Sequence, residues 1–265
     1  MTSTTDGAAE FLTALRSPNS EHWTEPMSNA SSPVELWPVA TALHNALPTD
    51  VRDGWALRLY ALLQKQHGEQ SVTNLPTRSG LSVVHDWQRH TVLPLLAETV
   101  PGAEAVPFSS LVPLHAEATA GRPAAPDVWR AALHPVLLHL YAAAYDRKTA
   151  YTEGHAGARD YALSHGRTPA EADTYGHEYA ELSCTANARA FAEAHALALS
   201  NVLALAYAAD DRGAYADTFP GSHVRAVLRA CERARAHCSA AGNAAVRLSE
   251  GLLTALAGAQ SLRSW

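Results

Sequence analysis

Residues 186–209 read ANARAFAEAHALALSNVLALAYAA, and this stretch decides the fold class. Alanine falls at almost every second position. Alternation of that kind normally marks a strand, but alanine is a poor strand former and the strongest helix former. Read as a helix, the alternation spreads alanine around the whole circumference, so neighbours can approach from every side. A helix without a wet face belongs in the middle of a domain. The expectation is therefore an all-α protein, a bundle of about eight helices around a buried alanine-rich central helix. The larger polar groups on that helix, Asn187, Arg189, Glu193, His195 and Asn201, then need partners, because buried polar groups cost free energy unless paired.

Helix signals extend in both directions from this stretch. Upstream, Thr168-Pro169-Ala170-Glu171 is a capping box with proline at the first helical position. Downstream, Asp210-Asp211-Arg212-Gly213 breaks the helix near Ala209. A second capping box, Ser32 with Glu35, opens a helix that should end at Leu47-Pro48, and Thr49 caps the next, which runs to Gly68. Leu81 to about Glu98 reads as helix with a kink at Pro94. Residues 100–126 are rich in Pro, Gly and Ala and read as a long loop. A long helix is expected from Asp127 to His165, closed by Gly166. A short helix over Ala214–Phe219, one from Ser222 to about Ala240 and one over 244–259 complete the chain. Residues 1–30 read as a flexible N-terminal segment and 31–265 as a single all-helical domain.

Composition narrows the function classes. The chain has 265 residues, net charge −6 and no dense Lys/Arg run, so nucleic acid is not an expected partner. Two lysines stand against eighteen arginines, a bias that a GC-rich, actinobacterial-type genome produces by itself. Cys231 and Cys238 lie too far apart on one helix for a disulfide. With Cys184 they suit a reducing, cytoplasmic setting. The N-terminus lacks a cationic start followed by an apolar core, so no secretory signal is expected. The most apolar run, 194–209, falls short of a membrane span.

Three constellations carry possible chemistry. Arg147, Tyr151, His155 and Arg159 recur every four residues, downstream of Tyr141 and Tyr145, and make one helix stripe. Two arginines, an imidazole and a phenol so placed suit a small anionic substrate, and a solvated helix face has the same look. Tyr175, Tyr179, Ser183 and Asn187 make a similar stripe on the central helix, fit to line a polar cavity or to form a structural network. His177, Glu181, Cys184 and His195 lie near one azimuth. His177 and His195 are about 27 Å apart along the axis and cannot share a metal. His177 with Glu181 is a single i, i+4 pair, and no HExxH or CxxC occurs, so no metal is expected. Glu181 and His195 fit an acid–base role better. Arg225, Arg229 and Arg233 read as a solvated face. Asp210-Asp211 lacks the third acid of a terpene-cyclase metal motif. His85, His90, Trp87, His134 and His139 read as helix-surface or core residues. No nucleotide loop or GxSxG is present.

The segment from Asn187 to Val227, about 40 residues, resembles the alanine-rich helical core of small proteins from actinobacterial natural-product gene clusters. Among them are the aziridine-forming proteins of azinomycin-type pathways. The resemblance implies two associating helical subunits, no redox cofactor, and ring closure by intramolecular amine attack with loss of sulfate. On that reading Arg147, His155 and Arg159 would hold the sulfate, and Glu181 or His195 would take the proton. Tyr151, Tyr179 and Asn187 would position the substrate. Two other roles remain open: a non-catalytic partner of an enzyme subunit, and a His/carboxylate metalloprotein.

Overall fold

The computed structural model describes residues 4–16, 36–70, 81–99, 108–234 and 243–261, and no strand occurs among them. The all-α class follows the sequence. The elements are α1 (Thr4–Arg16), α2 (Trp37–Ala46), α3 (Thr49–Gln70), α4 (Ser82–Trp87), α5 (Leu93–Thr99) and α6 (Leu111–Thr119). Then come α7 (Pro126–Ala144), α8 (Arg147–Ser164), α9 (Pro169–Ala209), α10 (Arg212–Ala216), α11 (Pro220–Ala234) and α12 (Ala244–Ser261). The Ser32/Glu35 box and Cys238 lie outside the described residues.

The central helix differs from expectation in one respect. α9 is not buried all round. Its buried positions step by four through Ala172, Gly176, Ala180, Cys184, Ala192, Ala196, Ser200 and Ala204. Leu182, Leu197 and Leu205 stay exposed. α7 and α8 follow one another along α9, antiparallel to it, so that α9 pairs with α8 over its first half and α7 over its second. The single helix expected over 127–165 is therefore broken, at Tyr145–Asp146. Tyr145 turns extended (φ −63, ψ 127), and Asp146 caps α8 by accepting from the Thr149 N–H at 3.2 Å. Arg233 of α11 donates to the carbonyl of Ala143 at 3.1 Å and to that of Tyr145, which satisfies two of the last acceptors of α7. Arg225 and Arg229 beside it are exposed, as a solvated face requires.

The body of the protein gathers around the second half of α9. Trp129 of α7, His85 of α4, His115 of α6 and Tyr207 of α9 meet at its centre, with ring centroids 4.9–5.8 Å apart. Trp55 and Trp87 both donate to α12, to the carbonyls of Ser249 (3.0 Å) and Leu248 (2.9 Å). Residues 4–16, expected to lie in a flexible segment, form α1. Phe11 and Leu15 are fully buried in the main core, and the Phe11 ring meets Trp37 and Tyr60. The apolar residues of Ala8–Leu15 fall at the spacing of a packed helix, with Phe11 and Leu15 one turn apart. The stretch 100–126, expected to be loop, contains α6. Pro113 sits in the first turn of α6, where a missing N–H costs least. The kink at Pro94 takes the form of a π-turn over Gln88–Val92, with the Leu93 N–H reaching back to the Gln88 carbonyl.

Caps read from the sequence recur in the structure. Thr168 and Glu171 make both bonds of the capping box. Gly166 takes the left-handed conformation (φ 81). Asp210 does the same at φ 51 and also accepts from the Leu81 N–H at 2.7 Å, which ties the end of α9 to the start of α4. Asp211 caps α10 through the Ala214 N–H at 3.0 Å. The acidic pair is thus spent on helix ends. α9 as a whole is long and apolar enough to cross a membrane by length and composition alone, with a mean hydropathy of 1.2 over its most apolar window.

Candidate functional site

α8 packs on α9 and only marginally on anything else, so residues 147–190 form a two-helix arm. Its seam is made of small residues at steps of four, Gly154, Ala158 and Ala162 against Ala172, Gly176, Ala180 and Cys184. At Gly176 a Cβ would lie 2.9 Å from the His155 carbonyl oxygen and 2.9 Å from His155 Cδ2. Only glycine permits this approach without parting the helices.

The close approach turns the Arg147, Tyr151, His155, Arg159 stripe toward α9, where each member meets a specific group. Arg147 pairs with Glu181 and reaches Thr185 Oγ1 at 3.5 Å. The Tyr151 hydroxyl lies 2.6 Å from His177 Nδ1. His155 Nε2 lies 3.2 Å from Asp173 Oδ1, and His177 Nε2 lies 3.5 Å from Asp173 Oδ2. Arg159 Nε stands 3.9 Å from Asp173 Oδ1. The stripe is therefore real as a group, but its cations face carboxylates rather than an open anion pocket.

Asp173 is the residue the sequence reading missed. It stands at i, i+4 before His177, the same spacing that drew attention to His177 and Glu181. In the structure Glu181 turns to Arg147 instead, and Asp173 takes its place beside the imidazoles.

The other expected site residues do not join this group. Tyr179 and Asn187 are exposed. Glu181 and His195 are fourteen residues apart, about 21 Å along one helix, and cannot act on one substrate atom. His195 belongs to a second cluster in the body. Its ring stacks on Tyr141 at 4.5 Å and 17°, and its Nδ1–H donates to the Phe191 carbonyl at 2.8 Å. Tyr141 Oη lies 3.4 Å from His223 Nδ1. Burial pushes the Tyr141 phenol up to about 12 and the His223 imidazole down to about 4. His223 borders a small apolar crevice with Trp87, Tyr215, Val224 and Leu248. It has little room for a polar substrate.

His85 and His115 form a buried pair, Nδ1 to Nδ1 at 2.9 Å. Burial holds His85 at about 4 and His115 well below the ordinary imidazole range. Enclosed by Trp129 and Tyr207, the pair is core structure. His115 could not have been paired with His85 from sequence, because its helix read as loop.

Comparison with known proteins returned no matching family model, no matching curated protein and no matching solved structure.

Proposed function

We propose that this chain is a helical partner subunit of a cofactor-independent enzyme of bacterial specialised metabolism, and that it docks through the α8/α9 arm. The observation that carries this reading is the outer surface of the arm. Leu182 is 74% exposed, Tyr161 58% and Tyr179 49%. Tyr161, Tyr175 and Tyr179 stand in a row with centroids 6.4 and 6.5 Å apart. At about 100° per residue, Tyr175, Tyr179 and Leu182 fall within a sector of roughly 60° on α9. Anchors at helical spacing on a projecting helix are the surface an amphipathic partner helix takes. Exposed aromatic and leucine side chains in a row mark an interaction site more often than free surface.

The chemistry of the complex, on this reading, is elimination or intramolecular cyclisation on a small anionic substrate. The resemblance of Asn187–Val227 supports it. The arginine row adds little on its own, since Glu181 and Asp173 already oppose it. The groups that act on substrate are accordingly assigned to the second subunit.

The test is reconstitution. The chain and a Tyr179→Asp/Leu182→Asp variant are each co-expressed with helical proteins encoded beside it and purified through one tag. One second chain should copurify in stoichiometric amount with the native arm and be lost with the variant, while both melt alike. The native complex should release sulfate from an amino sulfate ester. Copurification that ignores the arm variant would overturn the docking site, and a chain that turns over substrate alone would overturn the partner role.

A further inference from the structure

We propose that His155, Asp173 and His177 form a Zn²⁺ site that clips α8 to α9. The inference rests on the arm's internal geometry and does not depend on what the arm docks to.

The ligand set comes from two helices. Asp173 and His177 lie one turn apart on α9, and His155 comes from α8. One ligand atom from each lies within 4.8 Å of the others. Tetrahedral zinc takes His nitrogen and Asp oxygen at about 2.0–2.2 Å, which sets neighbouring ligand atoms roughly 3.3–3.5 Å apart. His155 Nε2 lies 3.2 Å from Asp173 Oδ1 and His177 Nε2 lies 3.5 Å from Asp173 Oδ2, so each imidazole nitrogen sits at this spacing from one oxygen of the same carboxylate. The two imidazole rings are tilted by 42° with centroids 4.2 Å apart.

Three further observations point the same way. His155 Nε2 is shut off from solvent and has no properly aligned hydrogen bond, although Asp173 Oδ1 is close. A solvent-shielded imidazole nitrogen left without a hydrogen bond is open to an ion as its partner. His177 Nδ1 lies 2.6 Å from the Tyr151 hydroxyl, and in the tautomer in which Nδ1–H donates to that oxygen Nε2 is free to take an ion. An outer hydrogen bond of that kind is a regular companion of metal-bound histidine. Gly176, between Asp173 and His177, is what lets His155 come this close.

Two imidazoles and one carboxylate leave a fourth position open, the pattern of zinc that holds a water or an exchangeable ligand. Asp173 and His177 are half-exposed, so that position faces solvent. Arg159, with Nε 3.9 Å from Asp173 Oδ1, is a cation that opposes the ion. Arg159→Ala should therefore tighten binding.

The full chain, free of any histidine tag and stripped with chelator, is titrated with ZnCl₂ by calorimetry, and its melting temperature is read with and without Zn²⁺. Co²⁺ supplies a spectroscopic stand-in for coordination. One Zn²⁺ per chain, a rise in melting temperature and an intense tetrahedral Co²⁺ band are expected. Asp173→Asn, His155→Asn and His177→Asn should each abolish stoichiometric uptake. Tyr151→Phe, which keeps all three ligands, should weaken it roughly 10- to 100-fold. Gly176→Ala should weaken it without removing a ligand. Leu182→Asp, which disables the docking stripe, should leave it unchanged, so that the two proposals fail separately. Absence of stoichiometric uptake by the native chain would overturn the site. So would uptake that survives Asp173→Asn, or a six-coordinate Co²⁺ spectrum.

Discussion

Acid should unfold this protein early, and the buried histidines say by how much. Burial holds His85 and His223 at about 4, against 6.5 in an unfolded chain. Because the folded value lies below the unfolded one, the fold keeps both rings neutral. Their stabilising share is intact well above 6.5, is lost as pH falls between about 6.5 and 4, and changes little below 4. Each contributes roughly 2 kcal/mol of loss by pH 5 and roughly 3 kcal/mol by pH 4. His223 is partly reachable by solvent, so its share is the smaller. His115 and His44 are lowered as well, by burial first, and act with the same sign. Between about pH 6 and pH 5, unfolding should bind close to two protons from His85 and His223 alone, a slope of roughly 2–3 kcal/mol per pH unit. A domain holds only about 5–15 kcal/mol in total. Glu98, Asp53 and Asp146 are also lowered, mainly by bonds to Arg247, Arg16 and Thr149. Those carboxylates act below the ordinary acid range, so the two windows separate.

The assay is urea unfolding followed by tryptophan fluorescence at about pH 7.5, 6.5, 5.5 and 5, in EDTA so that no metal contributes. His85→Leu/His115→Leu removes both members of the buried pair and leaves neither ring unsatisfied. The double variant should be near native stability at neutral pH and lose a large part of the pH slope. Stability that stays level within about 0.5 kcal/mol from pH 7 to pH 5 would refute the reasoning, since a neutral buried imidazole cannot avoid this linkage. A slope undiminished in the double variant would refute the assignment to this pair.

Four further outcomes are expected. Gly221→Ala places a methyl 2.6 Å from the Pro38 carbonyl oxygen, with backbone on both sides, so α2 and α11 must part. The cost should be roughly 1–3 kcal/mol by denaturation. Gly251→Ala meets the Thr91 side chain instead, Oγ1 and Cγ2 first and Cβ at 2.7 Å, and Thr91→Ala should relieve part of the clash with a coupling of about 1–2 kcal/mol in a double-mutant cycle. Asp146→Ala removes the cap of α8 and should cost about 1 kcal/mol, read as faster amide exchange in α8 with the Trp129 core unchanged. Arg147→Ala breaks a pair whose Glu181 carboxylate is mostly exposed, and should shift stability by less than about 0.5 kcal/mol.

What the sequence made legible follows from local rules. Alanine content gave the class, and the Thr168 box and the Asp210 break gave both ends of α9 to the residue, because caps are settled by neighbours a few positions away. The features that escaped depend on distant partners. Tyr145 and Asp146 look like helix in a helical run, and they leave it because α7 and α8 must both follow α9. Leu111 to Thr119 carries a proline and loop-like flanks, and it is helical because Leu111, His115 and Ala118 are buried. Asp173 has an ordinary spacing on its own helix. It becomes a candidate ligand only when Gly176 brings His155 within reach from α8. The stripe on α8 was visible, but its charge balance was not, since each opposing carboxylate lies on another helix.

The alanine alternation has a physical reading different from burial on all sides. A step of four residues advances about 40° around an α-helix, so the buried face drifts by most of a turn between Ala172 and Ser200. α9 presents one side to α8 and, further along, another side to α7. A helix whose partner line winds around it needs small side chains at successive azimuths, and alternating alanine supplies them without a wet or dry face fixed in advance. The body can then bury large side chains such as Trp129 and Tyr207 against the second half, where α7 and α10 both pack on α9. On the arm α8 is the main neighbour among the described residues, and Tyr175, Tyr179 and Leu182 remain outside. A seam of glycine and alanine buries little apolar area, so the arm is the less stable half of α9's partnership. That is where an added tie, a metal between His155, Asp173 and His177 or a partner helix along the outer stripe, has the most stability to contribute. Amide exchange that found α8 protected as well as α7 in the isolated, metal-free chain would contradict this ordering.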